Sequence, residues 1–143
     1  MSTAAATGTL EKIVGEVMTT HLVTLKLDDT LRLADDMLNL TQVRHFPVMG
    51  GDQLAGIVNQ DDLLHASMAA LVRQPKRTLR RVRGTVAVKD FMKPATTIAS
   101  AASIHDAAKT MVEKSIECVL VLDDGKLVGL VTRTDLLREL SNR

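Results

Sequence analysis

The chain has 143 residues, 45% apolar and 24% charged, a balance that belongs to a globular domain and excludes a disordered segment. Aromatic residues are only 1%, with neither Trp nor Tyr, so the core must be built from Leu, Val, Ile, Met and Ala, and no stacking platform for nucleic-acid bases is offered. Formal net charge is +1, but Arg73 to Arg83 holds six basic residues and no acid, so the positive charge is local and the rest is net acidic.

In chain order, the opening MSTAAATGTLEK lacks a basic region followed by an apolar one, and no apolar run approaches ~18 residues. Residues 1–12 are expected to be a flexible leader, with no export signal and no membrane span. A strand is expected at LVTL, Leu22 to Leu25. Thr30 is a good N-cap, and Leu31, Ala34, Met37, Leu38 and Thr41 then recur along one face of an amphipathic helix. FPVM and LAGIV, around Gly50-Gly51-Asp52, read as a hairpin whose glycines supply positive φ at the turn. A helix from Asp62 to about Leu71 follows. Then comes RQPKRTLRRVR, where Pro75 argues against a continuous helix and the charge predicts a mobile, solvent-facing connector that does not hold the fold together.

The remainder repeats what came before. An offset of 73 residues places Thr24 on Thr97, Leu31 on Ile104, Ala34 on Ala107, Val48 on Val121, Gly56 on Gly129, and Asp62-Leu63-Leu64 on Asp135-Leu136-Leu137. Val17-Met18 matches Phe91-Met92 only after a one-residue slip. The second copy carries the hairpin CVLVL, Asp123-Asp124-Gly125-Lys126, LVGLV and a last helix from Asp135 to about Ser141. The fold class is therefore α/β (α+β), two β-α-β-β-α repeats at 13–72 and 86–143 joined by a basic linker at 73–85. The single cysteine, Cys118, excludes an intrachain disulfide, sits in an apolar strand as a small hydrophobe, and fits a reducing, cytoplasmic setting. His21, His65 and His105 have no metal-site spacing, and no nucleophile, base and acid can be assembled from the sequence, so neither catalysis nor a required cofactor is indicated.

In both copies the second hairpin strand runs into a helix through a short polar turn: Asn59-Gln60-Asp61-Asp62 and Thr132-Arg133-Thr134-Asp135. Such a turn leaves unpaired N–H groups and a positive dipole end, suited to anions. The aspartate can cap the helix, or it can present its carboxylate to the vicinal hydroxyls of a ribose.

These residues resemble the cystathionine-β-synthase (CBS) domain, which occurs in tandem pairs. The resemblance rests on VMTTHLVTL and FMKPATTI, on RHFPV, and on the two Gly-to-Asp segments Gly56 to Asp62 and Gly129 to Asp135. It implies two sheets related by a pseudo-twofold axis and inter-repeat clefts that in relatives hold AMP, ADP, ATP or S-adenosylmethionine. Carried over, Asp135 resembles the ribose ligand of one cleft, with Thr132 and Arg133 beside it, and Asp62 and Asn59 take the matching places in the other. Adenine is expected against Met18, Leu22, Val23, Phe46 and Pro47, or against Met92, Thr96 and Leu120, and Arg44 and His45 are either phosphate contacts or solvated. Asn59 departs from the family's usual Ser or Thr, so the cleft with Asp135, Thr132 and His45-Phe46-Pro47 is favoured.

The resemblance thus implies a regulatory module that signals adenine-nucleotide occupancy to a partner protein, as a homodimer. Helix faces built from Leu31, Ala34, Leu38 and Ile104, Ala107, Met111 are expected to supply the dimer contact. Two other readings remain open: nucleic-acid binding through 73–83, and a structural dimerisation module.

Overall fold

A computed structural model describes residues 12–142. Among these the elements are α1 (Val14–Val17), β1 (Leu25–Lys26), α2 (Leu31–Thr41), β2 (His45–Gly50), β3 (Gln53–Asn59), α3 (Gln60–Arg73), α4 (Leu79–Arg83), a 3₁₀ turn (Val88–Asp90), β4 (Thr97–Ile98), α5 (Ile104–Lys114), β5 (Cys118–Asp123), β6 (Lys126–Thr132) and α6 (Arg133–Ser141). They form two mixed sheets of identical topology, β1-β2-β3 and β4-β5-β6. In each, a parallel edge pair is followed by an antiparallel hairpin. The expected leader lies outside the described residues except for Lys12, whose carbonyl accepts the Ile104 N–H at 2.9 Å and whose ammonium pairs with Glu139.

The β1–β3 unit comprises residues 23–95. Its edge strand is shorter than expected: the ladder reaches only Leu25 and Lys26, opposite Val48 and Met49. The chain leaves the sheet there because the Asp29 carboxylate accepts the Lys26 N–H at 2.7 Å and turns the backbone. α2 starts where Thr30 Oγ1 accepts the Leu33 N–H and stops at Gln42, whose φ of 62° is left-handed. Its apolar stripe meets the sheet, and Leu25, Leu31, Ala34, Phe46, Val48, Val58, Leu63 and Val88 form the core. Burying each of the larger of these side chains is worth about 1.5–3 kcal/mol.

The basic stretch is not the mobile connector that its charge predicts. α3 ends at Arg73, before Pro75, and Leu79–Arg83 forms α4, capped by Thr78 and packed on α3 and α2. Val82 is fully buried, Arg83 Nε donates to Ser67 Oγ at 2.9 Å, and its guanidinium pairs with Asp35 at 3.1 Å. One apolar side chain and one arginine among the six cations dock the segment, while Arg77, Arg80 and Arg81 stay exposed as expected.

The β4–β6 unit comprises residues 12–22 together with 96–142. Ser103 caps α5 by accepting the Asp106 N–H, and Ser115 ends it at φ 53°. The hairpin turns through Asp124 and Gly125, at φ 51° and 77°, which glycine adopts freely. Val14, Ala107, Met111, Val119, Val121 and Val131 form its core. Leu31 and Ala34, and likewise Ile104, Ala107 and Met111, are thus buried within their own units. The expectation that these faces supply a dimer contact is corrected, because each helix turns that stripe onto its own sheet.

The sequence repeats and the compact units do not coincide. The leading segment of each repeat folds with the sheet of the other. Val14 and Gly15 donate to the carbonyls of Ala102 and Ser100, and Thr19 exchanges backbone hydrogen bonds with Leu130 at 2.8 and 3.0 Å. The second leading segment does the same with the first sheet: Val88 and Lys89 donate to Asp29 and Leu27, and Lys93 exchanges bonds with Ile57 at 2.9 and 3.0 Å.

Candidate functional site

Each leading segment crosses a strand at a glycine. A Cβ on Gly129 would stand 2.6 Å from Met18 Sδ and 3.0 Å from the Thr19 carbonyl, and one on Gly56 would stand 2.7 Å from the Lys93 carbonyl. No larger residue fits without movement. This crossing brings the leading segment to the turn where β6 enters α6, and where β3 enters α3.

At the β6–α6 turn Thr132 is the N-cap and Asp135 the third helical residue, and they hold each other in a capping box. Thr132 Oγ1 accepts the Asp135 N–H at 3.1 Å, and Asp135 Oδ2 accepts the Thr132 N–H at 2.9 Å. The capping role anticipated for this aspartate is therefore present, and it fixes the carboxylate without using all of it. Thr19 Oγ1 lies 3.3–3.4 Å from both oxygens, and the Arg138 guanidinium reaches Oδ1 only at 3.5 Å. Sequence reading missed Thr19 and Arg138. The slip that aligns Met18 with Met92 places Thr19 opposite Lys93, and that pairing was the available signal.

The β3–α3 turn has the same box with different surroundings. Asn59 Oδ1 accepts the Asp62 N–H and Asp62 Oδ2 accepts the Asn59 N–H, both at 2.9 Å. The remaining oxygen, Oδ1, accepts a hydrogen bond from Lys93 Nζ at 2.8 Å. The hydrogen bond and charge of Asp62 push the Lys93 pKa up from its ordinary value.

The sequence-derived residues divide between the units. Met18, Leu22, Thr96, Thr132, Arg133 and Asp135 belong to the β4–β6 unit. Val23, His45, Phe46, Pro47, Asn59 and Asp62 belong to the β1–β3 unit. Met18 packs against the β4–β6 core, and the Thr96 carbonyl accepts the Leu120 N–H at 2.9 Å. Phe46 offers no ring face to adenine: the ring is fully buried in the β1–β3 core with Leu25, Leu31 and Val58. His45 stands opposite Asn59, and Pro47, also buried, opposite Ile57. Arg133 is paired with Glu117 at 2.9 Å, and Arg44 is hydrogen-bonded to Gln60, so both arginines are engaged at their hairpins.

Cys118 stands opposite Thr132 and is buried. Desolvation, followed by the charge of Asp135, pushes its pKa up to about 12. It is no thiolate at neutral pH. No group of three His, Cys, Asp or Glu side chains able to hold a metal ion occurs among the described residues, and no helix there is long and apolar enough to cross a membrane.

The sequence pattern of the CBS domain is matched twice, at residues 14–69 and 88–142. The chain belongs to the CBS domain family. This CBS pair is 31% identical over 131 residues to a CBS domain-containing protein of Dictyostelium discoideum, covering 90% of each chain. It superimposes on the CBS domain of a CBS domain-containing membrane protein from Sphaerobacter thermophilus with a TM-score of 0.80 at 25% identity, covering 94% of this chain and 91% of that one. It superimposes on CBSX2, solved in complex with AMP, with a TM-score of 0.74 at 26% identity, covering 92% and 97%. Other curated relatives are longer: the CBS pair spans 43% and 40% of two archaeal ones.

Proposed function

We propose that this CBS pair is a regulatory module that binds an adenosine-containing ligand, AMP, ADP, ATP or S-adenosylmethionine, and relays its occupancy to a partner protein. The observation that carries the reading is the Asp135 carboxylate. It is held by the Thr132 N–H at one oxygen, faced by the Thr19 hydroxyl at 3.3–3.4 Å, and approached by the exposed Arg138 guanidinium only at 3.5 Å. A ribose offers two vicinal O–H donors, the complement of a carboxylate anchored on one side, and hydrogen bonds to charged groups are worth about 1.5–3 kcal/mol. The AMP complex of the similar CBSX2 supports this class of ligand. The module acts by binding, with no cofactor of its own.

Calorimetry with AMP tests it: Asp135→Ala should weaken binding roughly tenfold or more, and unchanged affinity in that variant refutes the ribose role. Self-association is proposed through the exposed stripe Leu64, Met68 and Val72 on α3, in place of the core faces. A monomer by light scattering at micromolar concentration rejects that.

A second reading is favoured by one observation. Arg73, Lys76, Arg77 and Arg81 are exposed and have no ion-pair partner among the described residues, and the docking of α4 holds part of this cluster in place. Binding of duplex DNA or RNA that weakens steeply with salt, and that neutralising these four side chains abolishes, would establish a phosphate-backbone contact.

A further inference from the structure

The two capping boxes are built alike yet meet different side chains, and the difference bears on how many ligands the chain accepts. Superposing the repeats by their leading segments puts Thr19 where Lys93 stands. Both residues exchange the same pair of backbone hydrogen bonds, with Leu130 and Ile57 respectively, so their side chains start from equivalent backbone positions. The threonine offers a short, neutral hydroxyl at 3.3–3.4 Å from Asp135, a distance at which it yields readily to a better donor. The lysine offers an ammonium at 2.8 Å from Asp62, whose side chain is 3% exposed.

We propose that Lys93 is a built-in counter-ion that closes the Asp62 position to a ribose diol, so that the chain binds its adenosine ligand at Asp135 alone. This rests on the ribose reading of Asp135 above. The physical argument is one of exchange. Of the two oxygens of Asp62, Oδ2 is held by the Asn59 N–H and Oδ1 by Lys93. A diol entering there must displace a cation from a nearly buried carboxylate and replace a charge-assisted bond with neutral ones, leaving the carboxylate charge unmatched. At Asp135 the diol displaces one long hydroxyl contact and meets a cation, Arg138, that stands 3.5 Å from Oδ1 where Lys93 stands 2.8 Å from Asp62, so the guanidinium can stay beside the carboxylate and keep its charge matched. The Lys93 ammonium is itself held in its charged form by Asp62, so it does not vacate by losing its proton near neutral pH. Its stem lies on the surface, 63% exposed, so shortening it leaves the β1–β3 core untouched.

The test is a titration of the full chain with AMP, reading the number of sites by calorimetry. The unaltered chain should bind one AMP, lost in Asp135→Ala. Lys93→Thr should bind two, and Lys93→Thr with Asp135→Ala should keep one. Conversely, Thr19→Lys should lower affinity at Asp135 roughly tenfold or more, the equivalent of one charge-assisted bond. Two sites in the unaltered chain, a single site in Lys93→Thr, or undiminished binding in Thr19→Lys each overturn the proposal. If the unaltered chain binds no AMP, the ribose reading of Asp135 fails. Lys93→Thr with Asp135→Ala then still decides for Lys93, one site sustaining it and none overturning it. Should Lys93→Thr fail to fold, shown by loss of its cooperative melting transition, Thr19→Lys carries the test.

Discussion

The β1–β3 unit and the β4–β6 unit have one topology and different outer surfaces. In the first, Asp35 and Ser67 are polar, and they receive Arg83 of α4, which packs on α2 and α3. In the second, the repeat places Ala108 and Leu140 at those positions. Both line an apolar groove of about 490 Å³ between α5 and α6, together with Met111, Val112 and Leu137. The repeat thus preserves what faces each sheet and varies what faces away from it. A helix pair covered by its own charged segment carries polar anchors, and one not so covered carries apolar ones.

Breaking the covered side should have the largest effect. Val82→Asp places an unpaired carboxylate where a fully buried side chain now lies, and should lower unfolding free energy by about 3 kcal/mol or more, read as a reduced urea midpoint. A loss below ~0.5 kcal/mol would mean that α4 is not part of the cooperative structure. Next come the two crossing glycines. Gly56→Ala and Gly129→Ala should each cost about 1–3 kcal/mol. Gly56→Ala should cost more, because its added methyl meets the Lys93 carbonyl, whereas that of Gly129→Ala meets first the movable Met18 thioether. Thermal denaturation of the pair ranks them.

A smaller difference is pH-dependent. Asp123 accepts both the hydroxyl and the N–H of Ser100, at 2.5 and 3.0 Å, which holds its carboxyl below the ordinary value of 3.8. The repeat puts Gly50 at the corresponding place in the other unit. A lowered folded pKa gives stability that is present above the unfolded value and lost as pH falls through the folded one. The advantage of the unaltered chain over Asp123→Asn should therefore hold at neutral pH and vanish in acid below 3.8, followed as melting temperature against pH. Leu140→Ser, which copies Ser67 onto the open groove, should stay within ~0.5 kcal/mol, since Leu140 is already half-exposed.

Much of this was legible in the residues. The offset that aligns Leu31 with Ile104 and Gly56 with Gly129 follows from apolar period and turn chemistry, and the hairpins and the helix capped by Thr30 stand where that pattern puts them, whereas α3 and α6 begin two residues early, capped by Asn59 and Thr132. Asp62 and Asp135 were found because a strand-to-helix turn needs a cap. The exchange of leading segments was hidden, because backbone hydrogen bonds carry it and leave no side-chain pattern beyond the two glycines. Val82 was overlooked because two apolar residues, Leu79 and Val82, among six cations do not show in a charge count. Phe46 was misplaced because an apolar residue of a hairpin reads alike as a core side chain and as a ligand contact, and Phe46, Pro47 and Val48 are all buried. Lys93 was in view, but its meaning depended on knowing which aspartate its segment crosses.

That exchange has a consequence for how the chain acquires its shape during synthesis. Thr19 meets Asp135 across 116 residues of sequence, and Val14 joins a core otherwise made of residues beyond 97. The segment around Val14 must therefore wait for residues that are made more than eighty positions later, while the β1–β3 unit has all its parts once Ala95 has emerged. One half can fold early from a continuous stretch. The other closes only when a long loop has been drawn shut, an entropic cost that the first does not bear and that slows folding. A permuted chain that begins at Thr96, runs through residue 142, is linked to Lys12 and ends at Ala95 would hold the same contacts with the long closure removed.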